Sequence, residues 1–583
     1  MKISVIIPTF NRRDVITRTL PTLFNQDFPE NEYEVIVVID GAIDDTAEML
    51  QRFAPTCAFR FCEQPNQGQA VAKNAAADLA RGELLLFLDD DLICDATLLR
   101  EHVLAHREQP DLVVFGPVFV ASESPDTLAT DMLRTYTDGV IKQLITDGGS
   151  RWPDNVMIGA NSSMPRSAFL GCGGFDETYL RSYEDADLGL RLWKRGIRFS
   201  YQPKAVTYTL YVKSAYEWAQ DGWWYGRNEA RLCRKHPEYR PYSSLARIGT
   251  GSIWKQVARE VVARSLVYHR LTSRWVCLVL ESLCSIRSFR RVGIRLLGLL
   301  RRSLSFRGAL CALGSWNALR SEFGVRLPVL LYHYIGPRES GDYSRWTVSP
   351  DEFARQVRWL VRRGYVGISP SDWLAWVREG KPLPAKPVLL TFDDAYADLT
   401  KYAFPILKQY GFSAGVFVVT NWIGRRILLH EADSAQRPSV MNAEQIRKWA
   451  SEGIEFGAHS HSHRDLTTLG RADLIKEIRE NYKMLSAILQ HHVFVFAYPF
   501  GRFNDVVREV VRSQFEMAFT DEAGINSLPT DLDLLQRITV NPGNSFSDLA
   551  WRMQFGRNPI RILTAGMRIR SRIKRGTHIL KQS

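Results

Sequence analysis

No cysteine follows residue 311 in this 583-residue chain, and the eight at 57, 62, 94, 172, 233, 277, 284 and 311 include no CxxC pair. That scarcity excludes a disulfide framework and points to a reduced, cytosolic compartment. Also missing is any uncharged apolar run of the roughly 18–20 residues that a membrane-spanning helix needs. The nearest, Trp275 to Ile286, is interrupted by Glu281. The first residues, Lys2-Ile3-Ser4-Val5-Ile6-Ile7, read directly as a strand, without basic leader, apolar core and cleavage site, so no secretory signal is expected. There is no short-period repeat and no low-complexity segment.

Acid is scarce in two places. Residues 246–326 hold one lysine and 14 arginines against three glutamates, a local charge of +12. The tail 559–583 adds seven cations (Arg561, Arg568, Arg570, Arg572, Lys574, Arg575 and Lys581) and no acid. The whole chain carries only +12, so everything else sums to −7. Basicity therefore belongs to a connector and a tail rather than to the catalytic bodies. Arg287, Arg290, Arg291 and Arg295 recur at helical spacing beside an apolar face, a pattern suited to an anionic membrane surface. A helical linker packed on the first domain with solvated arginines is the plainer reading. No reader motif accompanies the charge, so nucleic acid is not expected as a partner.

What is present is ordinary for globular protein, 45% apolar and 24% charged, with length for two or three domains. Short apolar strands at 3–7, 34–39, 58–62 and 84–88 alternate with helical stretches near 12–25, 45–53 and 68–80. This alternation predicts an α/β fold: a parallel sheet with helices on both faces and ligands at the strand C-termini. Residues 241–327 read as a helical, arginine-rich connector. Alternation resumes at Pro328, with strands at 388–392, 415–419, 454–457, 494–498 and 516–519 suggesting a second parallel sheet, of barrel type. The expected domains are 1–240, the connector 241–327, 328–555 and a basic tail 556–583.

Two apolar strands end in acid clusters: Leu84 to Leu88 into Asp89-Asp90-Asp91, and Val388 to Phe392 into Asp393-Asp394. Adjacent carboxylates repel and are costly to desolvate, and a cation is the usual remedy. Around the first cluster stand Ser4 to Arg12, Glu34 to Gly41 and Asn66 to Asn74, then Gly159 to Ser163, Gly173 to Glu177 and Tyr183-Glu184-Asp185-Ala186-Asp187. In this order the blocks, over residues 2–240, resemble the inverting family 2 glycosyltransferases, which have a GT-A, Rossmann-like fold. The resemblance implies that Thr9 and Asp40 bound the nucleotide base and ribose. Asp89, Asp90 and Asp91 would contact the nucleotide-sugar, with Asp91 on a Mg²⁺ or Mn²⁺ that bridges the sugar diphosphate, and Lys73 would assist at the phosphates. Asn161 and Glu184 would face the acceptor, and Asp185 would be the general base. Ile39 stands where many relatives carry a second acid. Trp223-Trp224-Tyr225-Gly226-Arg227 only loosely matches the Q-x-x-R-W signature of processive synthases.

The second cluster is followed by His459-Ser460-His461-Ser462-His463. Two histidines at i, i+4 can share a face and, with one carboxylate, make a three-ligand site open to water, while the middle histidine points elsewhere. Residues 328–545 resemble the polysaccharide deacetylases of carbohydrate esterase family 4, a distorted (β/α) barrel of NodB type. By that resemblance Asp394, His459 and His463 bind Zn²⁺ or a similar metal. Asp393 is the base, and a backbone N–H near Phe500 forms the oxyanion site. The opening Pro328-Val329-Leu330-Leu331-Tyr332-His333 resembles the branch acting on poly-N-acetylglucosamine. Two departures stand out: Ala497 replaces the third motif's usual arginine, and Leu534-Leu535-Gln536-Arg537-Ile538 stands where a histidine acid is expected.

The expectation is a bifunctional enzyme of glycan biosynthesis at the inner face of the cell membrane. One half transfers a sugar, an N-acetylhexosamine, from a nucleotide-sugar donor (UDP-sugar favoured) to a glycan or lipid-linked acceptor. The other removes an acetyl group from the product. The alternatives are an active transferase carrying an inactive deacetylase-like carbohydrate-binding module, or a deacetylase whose substrate is unrelated to its neighbour's.

Overall fold

The computed structural model of the protein describes residues 1–109, 111–146, 159–249, 270–284, 286–337, 346–426 and 438–556. The chain forms two compact units, Met1–Leu245 with Val257–Trp316, and Ala246–Gln256 with Asn317–Ser583. The stretch read as a separate connector is divided between them, and the basic tail beyond Gly556 lies outside the described residues.

In the first unit the strands are β1 (Ile3–Thr9), β2 (Tyr33–Asp40), β3 (Ala58–Gln64), β4 (Leu84–Leu88), β5 (Leu92–Cys94), β6 (Leu112–Phe115), β7 (Val118–Val120), β8 (Asn161–Pro165), β9 (Arg198–Tyr201) and β10 (Thr207–Thr209). Seven of them make one sheet in the order β3-β2-β1-β4-β8-β6-β9, parallel except for β8, and β5-β10-β7 make a small second sheet. Side chains alternate across the main sheet, as strand geometry requires. Ile3, Val5 and Ile7 pack with Ile16 and Leu20 on one face, while Ile6, Ile36 and Val38 meet Ala70, Ala72 and Ala76 of the helix Gln69–Leu79 on the other. The chain winds outward from β1 to β3 and then returns to pair β4 on the far side of β1. This reversal is the place where a sheet of this kind binds its ligands, and Thr9 and Asp89-Asp90-Asp91 stand at the C-terminal ends of the two strands that meet there.

The arginine-rich helices Arg270–Cys284 and Arg290–Leu313 belong to this unit. The second lies alongside the helix Ala215–Lys235, the two chains running the same way, at a distance only glycine permits. A Cβ added at Gly226 would sit 1.8 Å from the Ser305 carbonyl oxygen, and one at Gly308 would sit 1.9 Å from that of Trp223. The Trp223–Arg227 segment therefore serves helix packing. Arg301 places its guanidinium 4.1 Å from the centre of the Trp218 ring and 4.8 Å from that of Tyr225.

The second unit carries β11 (Val329–Tyr332), β12 (Tyr334–Ile335), β13 (Thr347–Val348), β14 (Val366–Gly367), β15 (Pro387–Phe392), β16 (Ala414–Val418), β17 (Ile454–Ala458), β18 (Val495–Ala497), β19 (Met517–Phe519) and β20 (Ile538–Thr539). Its main sheet runs β19-β18-β17-β16-β15-β11-β20, with β14 beside β15 and every pairing parallel. The sheet is an arc with β19 and β20 at its ends, so the barrel is incomplete among the described residues. One face holds Val329, Leu389, Phe417, Ala497 and Met517 around the buried Trp373 and Trp376. The other holds Leu330, Leu390, Val416 and Phe456 against helices such as Pro350–Arg362, which contributes Phe353, Val357 and Leu360. Strands buried on both faces explain the near-continuous apolar runs in the sequence.

The glycine contact has a direct test. Gly226→Ala drives a methyl group into backbone rather than into a movable side chain, so we expect it to cost about 1–3 kcal/mol or more in denaturant unfolding of the first unit. Gly139→Ala, where a Cβ would meet nothing within 4 Å, should leave stability unchanged or slightly raised.

Candidate active sites

At the C-terminal end of β4 the three carboxylates part company. Asp90 is buried: its Oδ2 accepts from the Thr9 hydroxyl at 2.8 Å, and its Oδ1 accepts from Arg12 at 2.8 Å. The same guanidinium reaches Asp91 Oδ2 at 3.3 Å. Burial drives the Asp90 carboxyl up to about 7 even though Arg12 pulls it down, and burial likewise raises Asp91. Asp89 and Asp91, both half-buried, flank it. Their oxygen-only donor set fits a hard cation that brings most of its ligands with a diphosphate.

The helix Glu184–Lys194 starts at Tyr183, whose left-handed backbone (φ 71°) turns the chain so that Glu184 and Asp185 occupy the first turn. Glu184 is buried; its Oε1 faces the Lys73 ammonium at 3.2 Å, and its Oε2 has no hydrogen-bond partner. Asp185 accepts from the Ala186 N–H at 2.8 Å. Burial and the neighbouring Glu184 raise its carboxyl to about 7, against the pull of Lys73. A carboxyl near neutrality is suited to accept a proton at physiological pH. Burial depresses Lys73, but Glu184, Asp89 and Asp185 together hold it above the ordinary lysine value. Lys73 thus ties the field of the acid cluster to that of Asp185.

In the second unit the ligand-like groups sit at strand C-termini. Asp394 follows β15, and His459 follows β17. Asp394 Oδ1, His459 Nε2 and His463 Nε2 converge: the first lies 3.9 Å from His459 and 3.6 Å from His463. All three lie within 4.8 Å of one another. Asp394 Oδ1 is buried with no hydrogen-bond partner, the condition a divalent metal relieves. His459 Nδ1 bonds the Ala497 carbonyl oxygen at 2.8 Å, which fixes its N–H there and leaves Nε2 as a lone-pair donor. Burial depresses both imidazoles, His463 to about 4, so both are neutral donors at pH 7. Two nitrogens and one carboxylate oxygen fit Zn²⁺ or a similar ion.

Asp393 stands beside this trio, its Oδ2 3.9 Å from His459 Nε2. The fully buried Arg537 grips it with both nitrogens, at 2.7 and 2.9 Å, and also bonds Asp521 at 2.7 Å and the Thr520 carbonyl at 2.9 Å. Burial pushes the Asp393 carboxyl up, but Arg537 and His459 outweigh it and hold it at about 2. Asp393 is therefore ionised and aimed.

Comparison with known proteins adds to this geometry. The sequence model for glycosyl transferase family 2 matches residues 4–170, and that for polysaccharide deacetylase matches residues 380–515. YxkH of Bacillus subtilis, assigned as a polysaccharide deacetylase, is 30% identical over 230 residues, covering 39% of this chain and 76% of that protein. The chain belongs to the polysaccharide deacetylases, and its first unit carries a region that matches family 2 glycosyltransferases. The uncharacterized glycosyltransferase YfnE of Bacillus subtilis is 29% identical over 253 residues, 36% of this chain and 64% of its own length. The poly-β-1,6-N-acetyl-D-glucosamine N-deacetylase of Staphylococcus aureus is 25% identical over 190 residues, 31% of this chain and 62% of its own length. The chain thus spans less than two thirds of these last two proteins.

Several residues expected at the donor or acceptor also make internal hydrogen bonds. In the glycosyltransferase, the Thr9 hydroxyl donates to Asp90. Asp40 is buried and accepts from Gln64 Nε2 at 2.8 Å and from the backbone N–H groups of Gln67 and Gly68 at 2.9 and 2.8 Å; it organises the loop before the helix Gln69–Leu79. Asn161 is also interior: it bonds His102 Nε2 at 2.9 Å and the Ala205 carbonyl at 2.8 Å, tying β8 into the sheet. Lys73, Asp89, Glu184 and Asp185 act on one another's charge, and Asp91 joins them through its neighbour Asp89.

In the deacetylase, Asp393, Asp394, His459 and His463 do meet, but not on a helix. Residues 459–463 form a turn, and left-handed backbone at Ser460 (φ 62°) and His463 (φ 57°) brings the two rings to 5.0 Å. His461 turns away to Thr420 Oγ1 at 3.0 Å. Phe500, also left-handed (φ 57°), sets its ring 4.6 Å from that of His463.

Two arginines were missed, Arg12 and Arg537. Arg537 is the guanidinium that holds Asp393. Its signal is the single charge in Leu534-Leu535-Gln536-Arg537-Ile538, just before β20, a charge that needs a partner where it is buried. His333 was missed as well: it follows β11 and adds its influence to Asp393, Asp394 and His463.

Removing Arg537 leaves a buried, unpaired carboxylate. We expect Arg537→Met to cost about 3–5 kcal/mol in chemical denaturation of the second unit. The depressed Asp393 carboxyl contributes stability that is complete above its unfolded value of about 4 and lost as pH falls toward about 2. The variant should lose that acid-side dependence.

Proposed function

We propose that the two halves act in sequence: the first installs an N-acetylhexosamine on a glycan or lipid-linked acceptor, and the second hydrolyses its acetamide. The observation that carries this reading is the pairing in one chain of a carboxyl poised near 7 at Asp185 with an oriented base beside a three-ligand cluster at Asp393. The printed substrate of the Staphylococcus aureus relative, a poly-N-acetylglucosamine, supports the same amide chemistry.

In transfer, Asp185 takes the proton of the acceptor hydroxyl as that oxygen attacks the anomeric carbon, and the nucleoside diphosphate leaves from the opposite face with inversion. A Mg²⁺ or Mn²⁺ held at Asp89 and Asp91 supplies charge neutralisation to the leaving diphosphate. Lys73 sustains the ionised form of Asp185, and Arg12 keeps the remaining carboxylates in register.

In hydrolysis, Asp393 takes a proton from the water as its oxygen attacks the acetamide carbonyl; the C–N bond then breaks, acetic acid leaves and the freed amine nitrogen takes up that proton, while Arg537 holds the carboxylate in line throughout. A divalent cation on Asp394, His459 and His463 supplies Lewis acidity. A backbone N–H near Phe500 faces the developing oxyanion. The retained ligand trio and oriented base favour a working hydrolase over an inert sugar-binding module.

A donor screen of UDP- and GDP-sugars with a lipid-linked acceptor, read by mass spectrometry, tests the sequence of reactions. Wild type should yield a product lighter by C₂H₂O than that of Asp394→Ala, and identical products from both would sink coupling. Asp185→Asn should cut transfer by about 10²-fold or more while leaving acetate release from an N-acetylglucosamine oligomer intact. Because Asp185 must be deprotonated to act, kcat/KM for transfer should rise with pH through a midpoint near 7. Chelation should stop both reactions, with Mn²⁺ or Mg²⁺ restoring transfer and Zn²⁺ restoring deacetylation.

A further inference from the structure

We propose that the outer face of the helices Arg270–Cys284 and Arg290–Leu313 is a docking surface for an anionic lipid bilayer, a role independent of either reaction. Each helix buries one side in the first unit, through Cys277, Leu280 and Cys284 in the first and Leu297, Leu300 and Leu304 in the second. The opposite sides carry large apolar groups in the open. Trp275 is 69% exposed, Val279 52%, Val292 51% and Leu299 57%, and Ile286, between the helices, is 55% exposed. A soluble surface rarely leaves so many apolar groups contiguous along adjoining elements, and such patches mark interaction sites.

Interleaved with them stand the exposed Arg274, Arg291, Arg295 and Arg302. The other arginines described above are spent inside the unit: Arg290 on Asp126 and Asp131, and Arg301 on Trp218 and Tyr225. Residues 270–316 contain a single acid, Glu281, and it accepts the Ala215 N–H at 2.8 Å rather than balancing the outer cations.

Charge decides the occupant. In a two-fold contact the same patch would meet itself, setting arginines against arginines with no acid between them. A bilayer rich in anionic headgroups complements both features: guanidinium groups meet phosphate, and tryptophan and the aliphatic groups enter the interfacial zone. No helix among the described residues is long and apolar enough to cross a membrane, so the contact is peripheral.

Full-length protein should sediment with phosphatidylcholine vesicles containing phosphatidylglycerol at least about tenfold better than with pure phosphatidylcholine, and the difference should shrink at high salt. Two variants divide the effect: Trp275→Ser/Val279→Ser/Leu299→Ser, and Arg291→Gln/Arg295→Gln/Arg302→Gln. Each should lower vesicle binding by about tenfold or more while retaining the wild-type melting temperature and nucleotide release from donor. Should one variant fail to fold, the other decides. Both leave the C-terminal arginines in place, so unchanged binding in the folded variants would overturn the proposal by locating the contact elsewhere. Failure of wild type to bind the anionic vesicles would overturn it too, as would a dimer in light scattering that these substitutions break.

Discussion

Adjacent carboxylates at the end of a buried strand cannot remain as they are, and the cost of desolvating them governs both catalytic centres of this chain. The protein meets that cost twice with an arginine from another part of the fold. Arg12, in the loop after β1, spans Asp90 and Asp91. Arg537, immediately before β20, clamps Asp393 and Asp521. In each cluster the arginine takes some of the carboxylate oxygens and leaves others. At the second centre the oxygen left over, Asp394 Oδ1, is the one that faces two imidazoles. The guanidinium thus sorts neighbouring acids: Asp393 becomes a fixed, ionised group, and Asp394 keeps one buried oxygen without a hydrogen-bond partner.

The same device has different consequences because the surroundings differ. At the deacetylase centre Arg537 has no exposure and bonds Asp393 through two short contacts, so the carboxylate is held rigidly and far below its ordinary titration range. At the glycosyltransferase centre the Arg12 side chain is 30% exposed and its reach to Asp91 is long, 3.3 Å, so that carboxylate is held far less tightly. Backbone strain follows the same division. Asp394, Ala395, Ser460, His463 and Phe500 all adopt left-handed conformations around the deacetylase cluster, where side chains must converge from separate strand ends on one point.

The arginine-rich helices show charge being divided in another way. One side of each closes the first unit, at a spacing that Gly226 and Gly308 make possible, and Arg290 and Arg301 are consumed there. The other side keeps its arginines and its apolar groups outward. A feature that reads as a linker in the sequence is thus a structural wall of the glycosyltransferase with a second face available for contact.

Much was legible from local pattern. Strand and helix alternation, the two acid-ended strands and the histidine spacing place most elements and the whole Asp394, His459 and His463 trio, because each depends on short-range periodicity and on strand ends that a parallel sheet brings to one side. Roles that depend on what a side chain meets across the fold were not legible. Thr9, Asp40, Asp90 and Asn161 show in their motifs nothing of the internal partners that the fold gives them. Arg537 lies 144 residues from Asp393, and no local pattern links them. Sequence by itself determined which chemistry-bearing residues end up at strand termini, since periodicity is local. Only the tertiary structure decided which carboxylate is paired, which is poised near neutrality and which keeps an unpartnered buried oxygen, because burial and counter-charge are set by neighbours remote in sequence.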